Sequence, residues 1–185
     1  MSSRSTAPQP ILLDACAVIN LYATGHMAAM VGSSTAACGI VTRVQQEALY
    51  IRRGGTGEDA RDLEAIDLSG MISRGLLTVV IPTADELDAF VDLTVELGDG
   101  EAMSVAVALE RGFTVVTDDR IAVRVIAGRV PVRSSLEFIK DWTDGQYMSP
   151  MAITAMLRDL RQRGSYIPGR HQPLRIWWDQ HMSGS

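Results

Sequence analysis

A chain of 185 residues with 46% apolar side chains can bury one sizeable core, and its composition excludes bulk disorder. No run approaches the roughly 20 apolar residues of a membrane span, and the first ten residues lack the apolar stretch of a secretory signal, so a cytoplasmic location with no membrane partner is expected. The formal net charge of -5 is unevenly spread: residues 1–119 carry 7 basic and 17 acidic side chains, residues 120–175 carry 10 and 4, and every cation but Lys140 is Arg, so the later part is expected to meet a polyanion or an acidic partner.

In chain order, residues 1–10 read as a flexible leader. Residues 11–13 form an apolar strand ending at Asp14, and a helix over 15–23 follows at once. A short helical piece is predicted over 27–32 and a strand over 39–41. Thr42-x-x-Gln45 has the pattern of a capping box, which predicts a helix from Thr42 through Glu47 and Tyr50 to Arg53. Gly54, Gly55 and Gly57 read as a break, and 58–73 as an amphipathic helix. A strand over 76–81 ends at Pro82, and Thr83-x-x-Glu86 opens a helix by a second capping box. The next helix, 101–110, is apolar on most sides and therefore buried, with Gly112 as its stop. A strand over 113–117 delivers Asp118-Asp119; a helix over 121–127, a short strand over 130–132 and a helix over 136–142 complete the pattern.

Strands that alternate with helices imply a parallel sheet covered on both faces, that is, a three-layer α/β/α sandwich over residues 11–142. Residues 143–185 form a C-terminal helical extension. Ser149 as N-cap, Pro150 at the first helical position and Gly164 past the end frame a helix there, with Ile153, Met156, Leu157 and Leu160 on one face. The expected role of that helix is to pack on the domain, with Trp177 and Trp178 pinning the tail; contact with a partner through Arg158, Arg161 and Arg163 is the alternative.

Four acidic sites recur at equivalent places. Asp14 and Asp118-Asp119 follow apolar strands, while Glu101 begins a helix and Glu47 lies one turn into another on the same edge. In a parallel sheet the carboxyl ends of all strands lie on one edge, where ligands bind. Carboxylates gathered there repel one another unless a cation holds them, and hard oxygen ligands favour Mg²⁺ or Mn²⁺. Taken singly, each acid has a plainer explanation: Asp14 and Asp118 as helix caps, Glu101 through the helix dipole, Glu47 as a solvated residue. Cys16 and Cys38 form no CxxC pair or disulfide framework and read as small buried hydrophobes.

Leu13-Asp14-Ala15-Cys16-Ala17-Val18-Ile19-Asn20-Leu21, Leu97-Gly98-Asp99-Gly100-Glu101-Ala102 and Val115-Val116-Thr117-Asp118-Asp119 resemble the PIN-domain family, in the branch related to the VapC-type toxin ribonucleases. The resemblance implies a PIN-like fold and a metal-dependent endoribonuclease, the toxin of a toxin–antitoxin pair, acting as a homodimer. It implies Asp14, Glu47, Glu101 and Asp118 as catalytic acids, with Asp14, Glu101, Asp118 and Asp119 as ligands for Mg²⁺ or Mn²⁺. Asp118 and Asp119 together cover the last acidic position. Thr117 would position water or brace a carboxylate, and Arg120 and Arg124, following on one helix face, would hold phosphates of the RNA. One departure is Cys16, where many members carry Ser or Thr; a thiol is the poorer hydrogen-bonding partner, which bears on a contact behind Asp14 rather than on Asp14 itself.

Competing chemistry finds less support. His26, His171 and His181 sit beside no strand end, as a two-histidine ribonuclease would need. A phosphatase with Asp14 as nucleophile would want an aspartate where Cys16 stands, and no phosphate-binding glycine loop is present. The non-enzymatic alternative is a catalytically silent PIN-like module that binds RNA or protein.

Overall fold

The computed structural model describes residues 8–47, 49–53 and 62–183. A five-stranded parallel sheet forms its centre. The chain runs β1 (Ile11–Leu13), α1 (Ala15–Ala23), α2 (Met27–Ser33), β2 (Cys38–Val41), α3 (Thr42–Gln46), β3 (Tyr50–Arg52), β4 (Leu63–Ala65), α4 (Ser69–Ser73) and β5 (Thr78–Val80). It continues α5 (Ala84–Leu93), α6 (Asp99–Arg111), β6 (Thr114–Val116), α7 (Arg120–Ile126), β7 (Val132–Arg133), α8 (Ser135–Gly145), α9 (Pro150–Arg163) and α10 (Arg175–Met182).

The strand order is β5-β2-β1-β6-β7, all parallel, with a separate antiparallel hairpin β3-β4. Burial follows position. β1, β2 and β6 are buried at every residue and apolar except for Thr114, as suits strands covered on both faces, while the edge strands β5 and β7 are partly exposed. Helices α5, α6 and α7 pack together over β2, β1 and β6, and α1 packs with α2, α8 and α9, which makes the three-layer α/β/α arrangement. From β1 the chain first builds the sheet to one side, through β2 and β5. It then crosses back to place β6 on the other side of β1. The switch point of this sheet therefore lies between the carboxyl ends of β1 and β6, where a crevice opens in folds of this kind.

Local signals explain most boundaries. Thr83 and Glu86 form the reciprocal capping box of α5, and Gly112 ends α6 in the left-handed region at φ 67°. Ser149 caps α9, with Pro150 in its first turn. The buried face of α9, Ile153, Met156, Leu157 and Leu160, lies against α1 and β3, and Tyr166 meets the buried Trp178 edge to face at 5.8 Å.

Two predicted helices are replaced by the hairpin. The helix expected from Thr42 to Arg53 stops at Gln46, its N-cap is Val41, and Thr42 instead donates its hydroxyl to the Val80 carbonyl at 3.1 Å. Beyond it, Tyr50 and Arg52 face out while Ile51 is buried, the two-residue period of a strand, and they pair with Ala65, Glu64 and Leu63. The helix expected over 58–73 survives only as α4; residues 54–61, with the expected glycine break, lie outside the described residues.

Candidate active site

Asp14 leaves β1 with its backbone N–H still donating to the Val116 carbonyl of β6 at 3.2 Å. Its side chain then caps α1, accepting from the Ala17 N–H at 2.7 Å. The Cys16 thiol donates to both carboxylate oxygens, at 3.1 and 3.2 Å. Asp14 is 1% exposed. Burial pushes its carboxyl up to about 7, against hydrogen bonds from Thr117, Ala17 and Cys16, and the charge of Asp118 adds to the rise.

Asp118 is reached from three directions. Asn20 of α1 donates to it at 2.8 Å, the backbone N–H of Ser135 at the start of α8 straddles its oxygens at 3.3 and 3.4 Å, and the Tyr166 phenol donates at 3.4 Å. Its own N–H donates to the Cys16 sulfur at 3.2 Å. Burial raises its carboxyl as well, although the Ser135, Asn20 and Tyr166 donors oppose the rise. Asp119 has a different task. One of its oxygens caps α7, accepting from the Ile121 and Ala122 N–H groups, both at 2.7 Å, while its N–H donates to the Thr117 hydroxyl at 3.0 Å. Of the two adjacent acids, Asp118 is the one whose charge acts on Asp14; helix capping, which the sequence offered to Asp118, falls to Asp119.

Glu47 and Glu101 form a second pair. Glu47 ends α3, and its carboxylate rests on the backbone of Gly100, where a Cβ would collide with it. Burial raises the Glu47 carboxyl, and Glu101 and Asp99 raise it further, while Arg43, ion-paired to Asp99, pulls it down. The structure thus brings the expected acids together as two pairs. Among the described residues, no three His, Cys, Asp or Glu side chains converge as a ready-made metal cage.

Arg120 is exposed, joins no ion pair among the described residues, and lines a cleft of about 710 Å³ with Thr117 and Asp118. Arg124 pairs with Glu96 at 2.7 Å and lines no wall of that cleft. Sequence reasoning missed Asn20, Ser135 and Tyr166. Asn20 stands four residues after Cys16 and so shares its helix face, a usable signal; Tyr166 offered none.

The donor set itself suits a hard divalent cation. Asp14, buried, and Asp118, half-buried, present carboxylate oxygens at one place, and among the described residues neither is ion-paired to Lys, Arg or His. Mg²⁺ commonly binds through one or two carboxylates and keeps several waters, so this pair meets its need without a full protein cage. Compared with protein-family models, with curated proteins and with solved structures, the chain matches none of them.

Proposed function

We propose that the chain is a PIN-like, metal-dependent endoribonuclease. The observation that carries this reading is the Asp14–Asp118 pair at the switch point between β1 and β6, the first buried and the second half-buried, with no Lys, Arg or His paired to either among the described residues. Asp14 and Asp118 would hold Mg²⁺ or Mn²⁺, which supplies Lewis acidity toward water and the phosphodiester when bound. Cys16 and the Ala17 N–H orient Asp14; Asn20, Ser135 and Tyr166 orient Asp118. Glu47, whose proton affinity is raised by burial and by Glu101, is suited to take the proton of the attacking water at its carboxylate. The water oxygen joins phosphorus, the bond to the 3′ oxygen breaks, and that oxygen takes a proton from solvent, which leaves a 5′-phosphate and a 3′-hydroxyl. The finer assignment belongs to the same proposal: the toxin of a toxin–antitoxin pair and the homodimer rest on the sequence resemblance, and the cytoplasmic location on the sequence composition.

The separation of the acids into two pairs favours a second reading, a silent module that binds RNA without cutting it. One experiment decides. Purified protein and its Asp14→Asn variant are incubated with single-stranded RNA in Mg²⁺ and in EDTA. Cleavage by the wild type in Mg²⁺ alone is expected. Equal cleavage by the variant removes Asp14 from the chemistry, and binding without cleavage by either protein selects the silent module.

A further inference from the structure

We propose that the C-terminal segment 166–172, together with Arg120, forms a nucleotide subsite beside Asp118, with a backbone phosphate of single-stranded RNA held by Arg120 and His171 and its nucleoside lying on Ile167. The identity of the ligand rests on the nuclease reading; the subsite itself rests on the cleft. That cleft, about 710 Å³, has Thr117 and Asp118 at one end and the C-terminal segment as its opposite wall. It is large enough for a nucleotide.

The wall is built, not draped. Tyr166 is fixed at one end by its hydrogen bond to Asp118 and its contact with Trp178. At the other end the Gln172 amide donates to the Ser134 hydroxyl at 2.9 Å, and its carbonyl oxygen accepts from the Leu174 N–H. Between them, Pro168 is buried and its carbonyl accepts from Arg175 at 2.8 Å. Ile167, 60% exposed, offers an apolar face to a base or ribose.

The charge on this wall is unspent. Arg120 is the arginine that lines this cleft, and like several other surface arginines it joins no ion pair among the described residues. Its guanidinium lies against Gly169, where a Cβ would come within 3.1 Å of Nη2, so the missing side chain leaves the Arg room at the wall. His171, exposed, lines the same cleft. A guanidinium next to an acid-lined metal site is where the phosphate neighbouring the scissile one needs a cation, because Asp118 repels it.

The test separates binding from cutting. A fluorescein-labelled oligoribonucleotide is titrated with the full chain in EDTA, and affinity is read by fluorescence anisotropy at several salt concentrations. Arg120→Ala is expected to weaken binding about tenfold and to reduce the slope of log K against log salt by about 0.7, one lost phosphate contact on a single strand. His171→Ala weakens binding too, while Arg129→Ala, the same loss of charge beyond the far end of α7, leaves it unchanged. Unaltered binding by Arg120→Ala, equal weakening by Arg129→Ala, or no binding by the wild type overturns the subsite. Arg120-dependent binding without cleavage in Mg²⁺ sinks the nuclease and leaves the subsite standing. Cleavage with an unchanged KM in Arg120→Ala does the reverse.

Discussion

The Cys16 sulfur stands between the two central acids: its thiol donates to both oxygens of Asp14, and it accepts from the backbone N–H of Asp118. Burial and the Asp14 charge push the thiol well above its ordinary range, which keeps it protonated and able to donate. Groups that orient a metal ligand in this way are commonly worth about 10- to 100-fold in metal affinity or activity. Cys16→Ser, which keeps a donor, is expected to retain activity, and Cys16→Ala to need more Mg²⁺ by a factor in that range. A Mg²⁺ titration of the cleavage rate checks both.

Asp14 links the site to stability through pH. In metal-free protein its folded carboxyl stands at about 7 against 3.8 for the ordinary group, so the folded state binds the proton more tightly. The contribution of Asp14 to stability is then fullest below about pH 4, falls as pH rises through the window to about 7, and is flat above it. A gap of that size between folded and unfolded protein corresponds to a loss on the order of 4 kcal/mol. Asp14→Asn is expected to match the wild type near pH 4 and to exceed it by about that much at pH 8 in EDTA. Denaturant unfolding at the two pH values measures the difference. Millimolar Mg²⁺ should raise the wild-type melting temperature at pH 8 and leave the variant unmoved.

Arg111 ties α6 to the start of α5. Its guanidinium meets both oxygens of Glu86, at 2.5 and 2.7 Å, and donates to the Ile81 carbonyl at 3.0 Å. Glu86 is 2% exposed, and its bond to Arg111 holds its carboxyl below the usual range. Arg111→Ala leaves that carboxylate buried and unpaired, with an expected cost of about 3 kcal/mol at pH 7. Because the folded value is the lower one, the pair's contribution is present above the ordinary carboxylate value and lost on acidification through the folded value. The gap between variant and wild type in urea unfolding should therefore narrow as pH falls below the ordinary carboxylate value of 4.5.

Helix α9 belongs to the packed core. Leu157 is fully buried on the face that meets α1, and Met151, on the same helix, is 82% exposed. Leu157→Ala is expected to cost about 2–5 kcal/mol, and Met151→Ala almost nothing. Thermal unfolding of both variants checks the contrast, and equal melting temperatures would show that α9 contributes no core.

What could be read along the chain was what local chemistry decides. The apolar strands ending in Asp14 and Asp118, the Thr83–Glu86 box and the Ser149-Pro150 start of α9 each depend on residues a few positions apart. The Thr42-x-x-Gln45 pattern misled because the Thr42 hydroxyl found the Val80 carbonyl, 38 residues away, in place of its own helix. The box that does form at α8, between Ser134 and Glu137, sits beyond a strand only two residues long and was not read. Ile51 fits a helix face by spacing, and only pairing with residues 63–65 makes it a strand. The hydrogen-bond partners of Asp118 were out of reach for the same reason: Asn20 and Tyr166 lie 98 and 48 residues from it along the chain.

Gly100 carries a consequence for how this chain can vary. Its empty side-chain position is filled by the Glu47 carboxylate, so even alanine there would evict an acid more than fifty residues away. Positions 47 and 100 therefore behave as one heritable unit. A lineage that enlarges residue 100 moves the carboxylate of Glu47 off its seat in the same step, and one that dispenses with the acid is free to lose the glycine. Among descendants of this chain, the two should be found kept together or lost together.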